Sequence, residues 1–277
     1  MIKTLTHPYS GEAFKLGRRR PVARCPRLSL RNYLLKSFPV APAGVNYSVK
    51  PAAFLSQCLG NDTLGDCTAA GAFHIGGTLL ANAEQRIPFT QDDAIKFYSA
   101  TTGYDPSKIQ PDGSNPTDRG GDEQTVLNAW ASNGLLPDGS HKIAGWIAVD
   151  GSNADEVRAA LWLFENLYFG VELPDAWINP MPGASGFTWD VAGAADPDNG
   201  HCFCGVGYDE VGATIDTWGL LGKVTWLAIA KYAATAGQGE LYTVFGPDAI
   251  NKATKKAPNG FDAAQLAADL DIFAEAA

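Results

Sequence analysis

A thiol and a carboxamide stand close together in Asn61-Asp62-Thr63-Leu64-Gly65-Asp66-Cys67-Thr68-Ala69-Ala70. The run after Cys67 reads as a helix, which puts the cysteine in its first turn. The positive end of the helix dipole favours thiolate over thiol there. The Asn61 amide lies across a Gly-containing turn and could donate a hydrogen bond to a developing oxyanion. This is the front half of a cysteine nucleophile site, and it needs a base. Downstream, Gly200-His201-Cys202-Phe203-Cys204-Gly205-Val206-Gly207-Tyr208 reads as a buried strand that opens with a histidine. A turn then leads to Ile215-Asp216-Thr217-Trp218-Gly219.

These segments together resemble the papain family of cysteine peptidases. That family has a Gln, a Gly-rich turn and then Cys at the start of a long central helix. Further on it has a His opening a strand that ends in Val-Gly-Tyr, then Asn-Ser-Trp-Gly. The wording Leu-Gly-Asp-Cys-Thr-Ala is closer to bacterial and phage-type relatives. The resemblance implies that Cys67 is the nucleophile, His201 the base, Asp216 the orienting group and Asn61 the oxyanion donor. It also implies that Trp218 shields the His201–Asp216 bond from water and that Gly120 and Gly121 form a wall for substrate backbone. Taken alone, Gly120 and Gly121 read equally well as a plain turn before a helix.

The implied chemistry is acyl transfer. A free thiol is only a few per cent ionised at neutral pH. An imidazole and a helix terminus can move its proton from sulfur to nitrogen. The thiolate attacks a carbonyl, the Cys67 N–H and the Asn61 amide hold the oxyanion, and His201 protonates the leaving amine. Three positions depart from the family pattern. Asn61 replaces Gln and reaches one methylene less far, and a lost oxyanion donor costs on the order of 10²–10³ in rate. Asp66 places a carboxylate beside the thiol, where it repels a thiolate or caps the helix. Asp216 replaces Asn.

Other residues are weighed against bland readings. His201, Cys202 and Cys204 could suggest zinc, but strand alternation puts the two cysteines on one side and the histidine on the other. No metal and no cofactor are expected. Cys58 reads as structural, Cys25 has no assigned role, and His74 reads as a packed or polar-satisfied residue on the central helix. Trp177, Phe187 and Trp189 either wall the site or cover the core.

The elements that must position this chemistry are legible as an α+β pattern. Helices dominate the first half: about 68–84, one capped by Thr90, one ending at Asn133-Gly134, and 154–166. Strands dominate the second: 168–173, 201–208, 213–218, 224–230 and 240–245. A papain-like two-lobe fold is expected, with a helical lobe built on the Cys-bearing helix, an antiparallel sheet lobe and a cleft between them. The chain divides into an N-terminal arm (1–44), a papain-like domain (45–245) and a C-terminal extension (246–277). In the extension, Asp262 and Gln265 suggest a capping box before an amphipathic helix carrying Leu266, Leu270 and Phe273.

Composition limits the function classes. The chain has 277 residues, is 45% hydrophobic and 18% charged, and carries a formal charge of -9. That balance argues against a nucleic-acid partner, because phosphate neutralisation needs a basic face. The Arg18-Arg19-Arg20 run reads as a solvated or interface-paired segment of the arm. No membrane span and no signal peptide are read. Leu64 stands where secreted relatives have a second cysteine, which fits a reducing compartment. The expectation is a cysteine peptidase acting on a peptide or protein substrate, cytoplasmic or virion-associated. Two alternatives stand beside it. One is a catalytically weak papain-like fold used in homo-oligomer or virion assembly through its arm and C-terminal helix. The other is acyl transfer of transglutaminase or amidase type.

Overall fold

The computed structural model describes residues 2–20, 28–35, 40–234, 238–246, 249–257 and 260–276, with side chains described only to residue 270 in the last segment. In chain order the elements are β1 (Thr4–Thr6), β2 (Ala13–Lys15), β3 (Val45–Asn46), α1 (Ala52–Leu55), α2 (Cys67–Asn82), α3 (Gln91–Thr102), α4 (Glu123–Asn133), β4 (Gly145–Ala148) and α5 (Ala154–Phe164). There follow β5 (Leu167–Glu172), α6 (Asp175–Ile178), β6 (Thr188–Trp189), β7 (Gly200–Tyr208), β8 (Gly212–Thr217), β9 (Leu220–Thr225), α7 (Trp226–Ala228), β10 (Glu240–Phe245), α8 (Ala249–Lys256) and α9 (Ala263–Ala276). Cys25 and the side chain of Phe273 lie outside the described residues.

The main sheet runs β4-β10-β5-β7-β8-β9-β6, with β3 added to β7. Its pairings are antiparallel except for β6 with β9. β7 is buried along its whole length, and the two apolar cores lie on its two sides. Cys202, Cys204 and Val206 point into the core shared with α2, α3 and α4. Phe203 and Tyr208 point into the other, with α5, α8 and α9. The predicted α+β class and its two-lobe plan are therefore present.

Helix α2 explains its own composition. Twelve of its positions are buried, from Cys67 to Thr78, so it runs through the core rather than over it. Small residues let it approach the sheet. At Gly71 an added Cβ would stand 3.0 Å from the Tyr168 ring and 3.5 Å from Cys202 Sγ. The Tyr168 hydroxyl donates to the Thr68 carbonyl at 2.6 Å, tying the first turn of α2 to β5.

Local signals place the other helices. Thr90 and Asp93 form a reciprocal capping box at the start of α3. Asp122 accepts the Thr125 N–H at the start of α4, and Asn153 caps α5. The predicted strand over 224–230 is corrected: β9 ends at Thr225, whose hydroxyl accepts the Ala228 N–H and starts a helical turn. Asp262 accepts the Gln265 N–H at 3.0 Å, and Leu266 is buried against the domain.

The arm packs on its own domain. Leu5, Phe14 and Leu16 join the same core as β7's Phe203. Gly71→Val should lower stability by about 1–3 kcal/mol through overpacking against Tyr168 and Cys202, read as a lower urea midpoint at unchanged slope.

Candidate functional site

Cys67 occupies the first turn of α2, as the sequence predicts, and is 1% exposed. The backbone N–H groups of Cys202, which follows His201, and of Gly17, in the arm, both favour the ionised form of its thiol. The remaining space among Cys58, Asn61, Cys67, His74, Asp216 and Trp218 is about 10 Å³, room for about one water.

The arm runs through the site and makes an isolated β-bridge there. Gly121 N–H donates to the Gly17 carbonyl at 2.9 Å, and Arg19 N–H donates to the Gly121 carbonyl at 2.7 Å. This bridge, centred on Arg18, is parallel. On the other side Arg18 N–H donates to the Gly200 carbonyl at 3.1 Å. Gly17 is required at the crossing, because a Cβ there would fall on the Gly65 backbone. Gly120 has φ +73, and a Cβ on it would meet the Gly17 carbonyl. Gly121 is thus paired through its backbone with the chain's own arm.

Asn61 is buried, and its amide donates to Lys15 O at 3.2 Å and Leu64 O at 3.1 Å. The amide implied as an oxyanion donor is holding an arm carbonyl. Basic residues fasten the arm at several points. Lys15 pairs with Asp118 at 3.0 Å, Arg20 with Glu172 at 2.5 Å, and Lys3 with Asp175 at 3.3 Å. Arg18 goes deeper, to Glu123 at 3.1 Å and Glu240 at 2.9 Å.

His201 is fully buried, and its ring stacks on Trp218 at 4.3 Å between centroids and 20° between planes. Trp218 therefore covers the imidazole. His201 Nε2 bonds to Thr217 Oγ1 at 2.7 Å, while Nδ1 has no hydrogen-bond partner among the described residues.

The expected pairing of His201 with Asp216 is corrected. Asp216 Oδ2 instead lies 2.9 Å from His74 Nδ1. Strand register is the reason. Asp216 is directly opposite Cys204, and opposed residues share a face. That face looks toward α2, while His201 and Thr217 occupy the other. His74 is thus a satisfied residue, with its Nε2 on Gln57 O at 3.0 Å. Among the described residues His74, Cys204 and Asp216 form a trio whose ligand atoms lie within 4.8 Å of one another. Thr217 is the partner that the sequence reading missed.

Burial sets the charges. Desolvation pushes the Cys67 thiol up to about 12, against the pull of the Cys202 and Gly17 N–H groups. Desolvation alone lowers the His201 imidazole to about 3. At neutral pH the pair is therefore a thiol and a neutral imidazole, not the ion pair that an open site favours. Asp66 makes no side-chain cap to α2. Burial, then Asp118 and Asp62, hold its carboxyl well above the usual range, and Asp66 adds to the upward shift of the Cys67 thiol. Burial raises Asp216 as well, and His74 opposes the shift. Trp177 and Trp189 stack at 4.7 Å and 4°, both buried within the core, so they cover the core.

No protein-family model matches the sequence, and no curated protein matches it. Solved structures do match its fold. The chain is similar to xylellain, a cysteine protease from Xylella fastidiosa, with TM-score 0.61 and 13% identity, over 89% of this chain and 99% of that one. It is similar to the digestive procathepsin L2 proteinase of Tenebrio molitor larval midgut, with TM-score 0.52 and 11% identity, over 84% and 78%. The Amb a 11 cysteine protease, a major ragweed pollen allergen, matches in its proform with TM-score 0.51 and 15% identity, over 77% and 69%.

His201 also makes stability depend on pH. Its folded value of about 3 lies below the ordinary 6.5, so the unfolded chain binds the extra proton. The stability is complete above pH 6.5 and is lost as pH falls through about 3. Urea midpoints measured from pH 7 down to 4 should fall less steeply for His201→Gln than for the wild type.

Proposed function

We propose that this chain, which has the papain-like fold, is a cysteine peptidase whose cleft is closed by its own N-terminal arm. The observation that carries the reading is a peptide segment of the chain bonded to Gly121 and Asn61, with its Gly17 N–H acting on the Cys67 thiol. These groups bind extended backbone.

Displacing the arm would readmit water to Cys67 and His201 and relieve the desolvation that holds both neutral. The reading requires that displacement of the arm also bring His201 Nδ1, the ring nitrogen without a partner, from its own face of β7 to the Cys67 thiol, whose proton then passes to it. The thiolate attacks the peptide carbonyl, forming a C–S bond. The Asn61 amide, freed from Lys15, and the Cys67 N–H support the oxyanion. On collapse the C–N bond breaks, and the Nδ1 proton goes to the leaving amine. Water then hydrolyses the thioester, with His201 accepting its proton. Thr217 fixes the imidazole orientation without adding a charge to stabilise the imidazolium.

The same burial favours a second reading, a papain-like fold kept for structure or assembly. Gly17→Val separates the two, because the added side chain has no room against Gly65 and must lift the arm. A thiol-directed epoxide should label Cys67 in this variant on the order of 10²-fold faster at pH 7 than in the wild type, because the thiol regains an ordinary ionised fraction. Intact mass spectrometry would follow the labelling, near-UV circular dichroism would confirm the fold, and Cys67→Ser would supply the blank. Hydrolysis of a mixed peptide library should rise in parallel. Rapid labelling with no hydrolysis would overturn the peptidase reading, and product formation only with an added amine acceptor would indicate acyl transfer.

A further inference from the structure

Arg18 is 7% exposed, and the residues around it are as deeply buried: Glu123 at 0%, Gln124 at 3% and Glu240 at 6%. Every nitrogen of the guanidinium donates. Nε reaches Glu123 Oε1 at 3.1 Å and Oε2 at 3.3 Å, Nη2 reaches Glu240 Oε1 at 2.9 Å, and Nη1 reaches Gln238 O at 3.4 Å. Behind the carboxylates, Gln124 Nε2 donates to the Tyr242 hydroxyl at 3.0 Å, and that hydroxyl donates to Glu240 Oε2. Gln124 Oε1 is buried with no hydrogen-bond partner. Gly170 forms the facing wall, where a Cβ would collide with the Glu123 carboxylate and crowd Arg18 Nε.

This pocket is not in a remote part of the molecule. The residue that fills it is the one seated between Gly121 and Gly200, one position from Gly17, whose N–H favours the Cys67 thiolate. A peptide that took the place of the arm on Gly121 in the same register would present a side chain to the same pocket.

We propose that Glu123, Glu240 and the Gln238 carbonyl form a guanidinium-reading subsite, which selects an arginine side chain in the peptide bound beside Cys67, with Arg18 as its resident occupant. The inference rests on the peptidase reading for the identity of the ligand as a substrate. Its chemistry stands independently. Removing the guanidinium takes from Glu123 and Glu240 a buried cation that both bond, which is strongly unfavourable. An apolar side chain offers them no donor, and lysine offers a point charge where the pocket presents acceptors in several directions. The vacant pocket therefore ranks arginine above lysine and lysine above leucine. The acceptors come from α4, from β10 and from the turn before it, so the subsite is complete only when helix and sheet are packed together.

Two measurements test this without requiring turnover. In Arg18→Ala, N-acetyl-argininamide should raise the melting temperature in a saturable manner, while N-acetyl-leucinamide does not; a ligand bound only by the folded state stabilises it in this way. The double variant Arg18→Ala/Glu240→Gln should lose the effect. If Arg18→Ala does not fold, the wild-type chain serves. A short acetylated peptide containing arginine should compete with the arm and speed epoxide labelling of Cys67 at least about tenfold over its leucine analogue, since a site that leaves buried polar groups unpaired discriminates strongly. Equal effects of the arginine and leucine compounds in either measurement would overturn the subsite. Rescue by argininamide with no peptide hydrolysis would keep the subsite and discard the peptidase reading. Hydrolysis with equal rates for arginine and leucine peptides would do the reverse.

Discussion

Everything at the candidate site depends on the exclusion of water from one sulfur atom. Cys67 sits where α2, β7 and the arm meet, and none of the three leaves it a path to solvent. The helix terminus that should ionise the thiol is present, yet desolvation outweighs it, and the imidazole is pushed the opposite way by the same cause. Chemistry and burial are thus in direct conflict, and the arm decides which prevails. The glycines at the crossing allow the backbones to approach closely enough for this, and the basic residues of the arm hold the approach.

The attachments of the arm differ in strength. Lys3–Asp175 lies at the surface, where such pairs contribute little and salt screens them, whereas Arg20 reaches from the surface to the buried Glu172. The Arg18 cluster is buried and makes directional bonds at every nitrogen, so it dominates the selectivity of attachment. Burial pushes the Glu123 carboxyl up, and Arg18 pulls it back. Arg18 is shared by Glu123 and Glu240, and no apolar replacement would preserve that balance.

Much of this was legible in the sequence. The Cys67 helix, the His201 strand, the α+β order and the Thr90 cap follow from local pattern, because periodicity and capping are short-range. Alternation along β7 already separated His201 from Cys202 and Cys204. The pairing of β7 with β8 was not legible, since a bulge between Gly205 and Gly207 shifts the register and no local signal announces it. That register alone sends Asp216 to His74 and gives Thr217 to His201. The role of the arm was hidden for a different reason. Gly17 and Arg18 are ordinary residues until residues 65, 121, 123, 200 and 240 surround them, and those meetings are all long-range.

The order of these partners along the chain has a consequence for biosynthesis. Residue 18 leaves the ribosome before residue 67, and the strand and carboxylate that complete the enclosure, at 201 and 240, come last. The covering arm is therefore already waiting when β7 and β10 pair, and enclosure of the thiol coincides with completion of the sheet. A chain made in this order encloses Cys67 as its own sheet closes, with no second molecule needed to cover it.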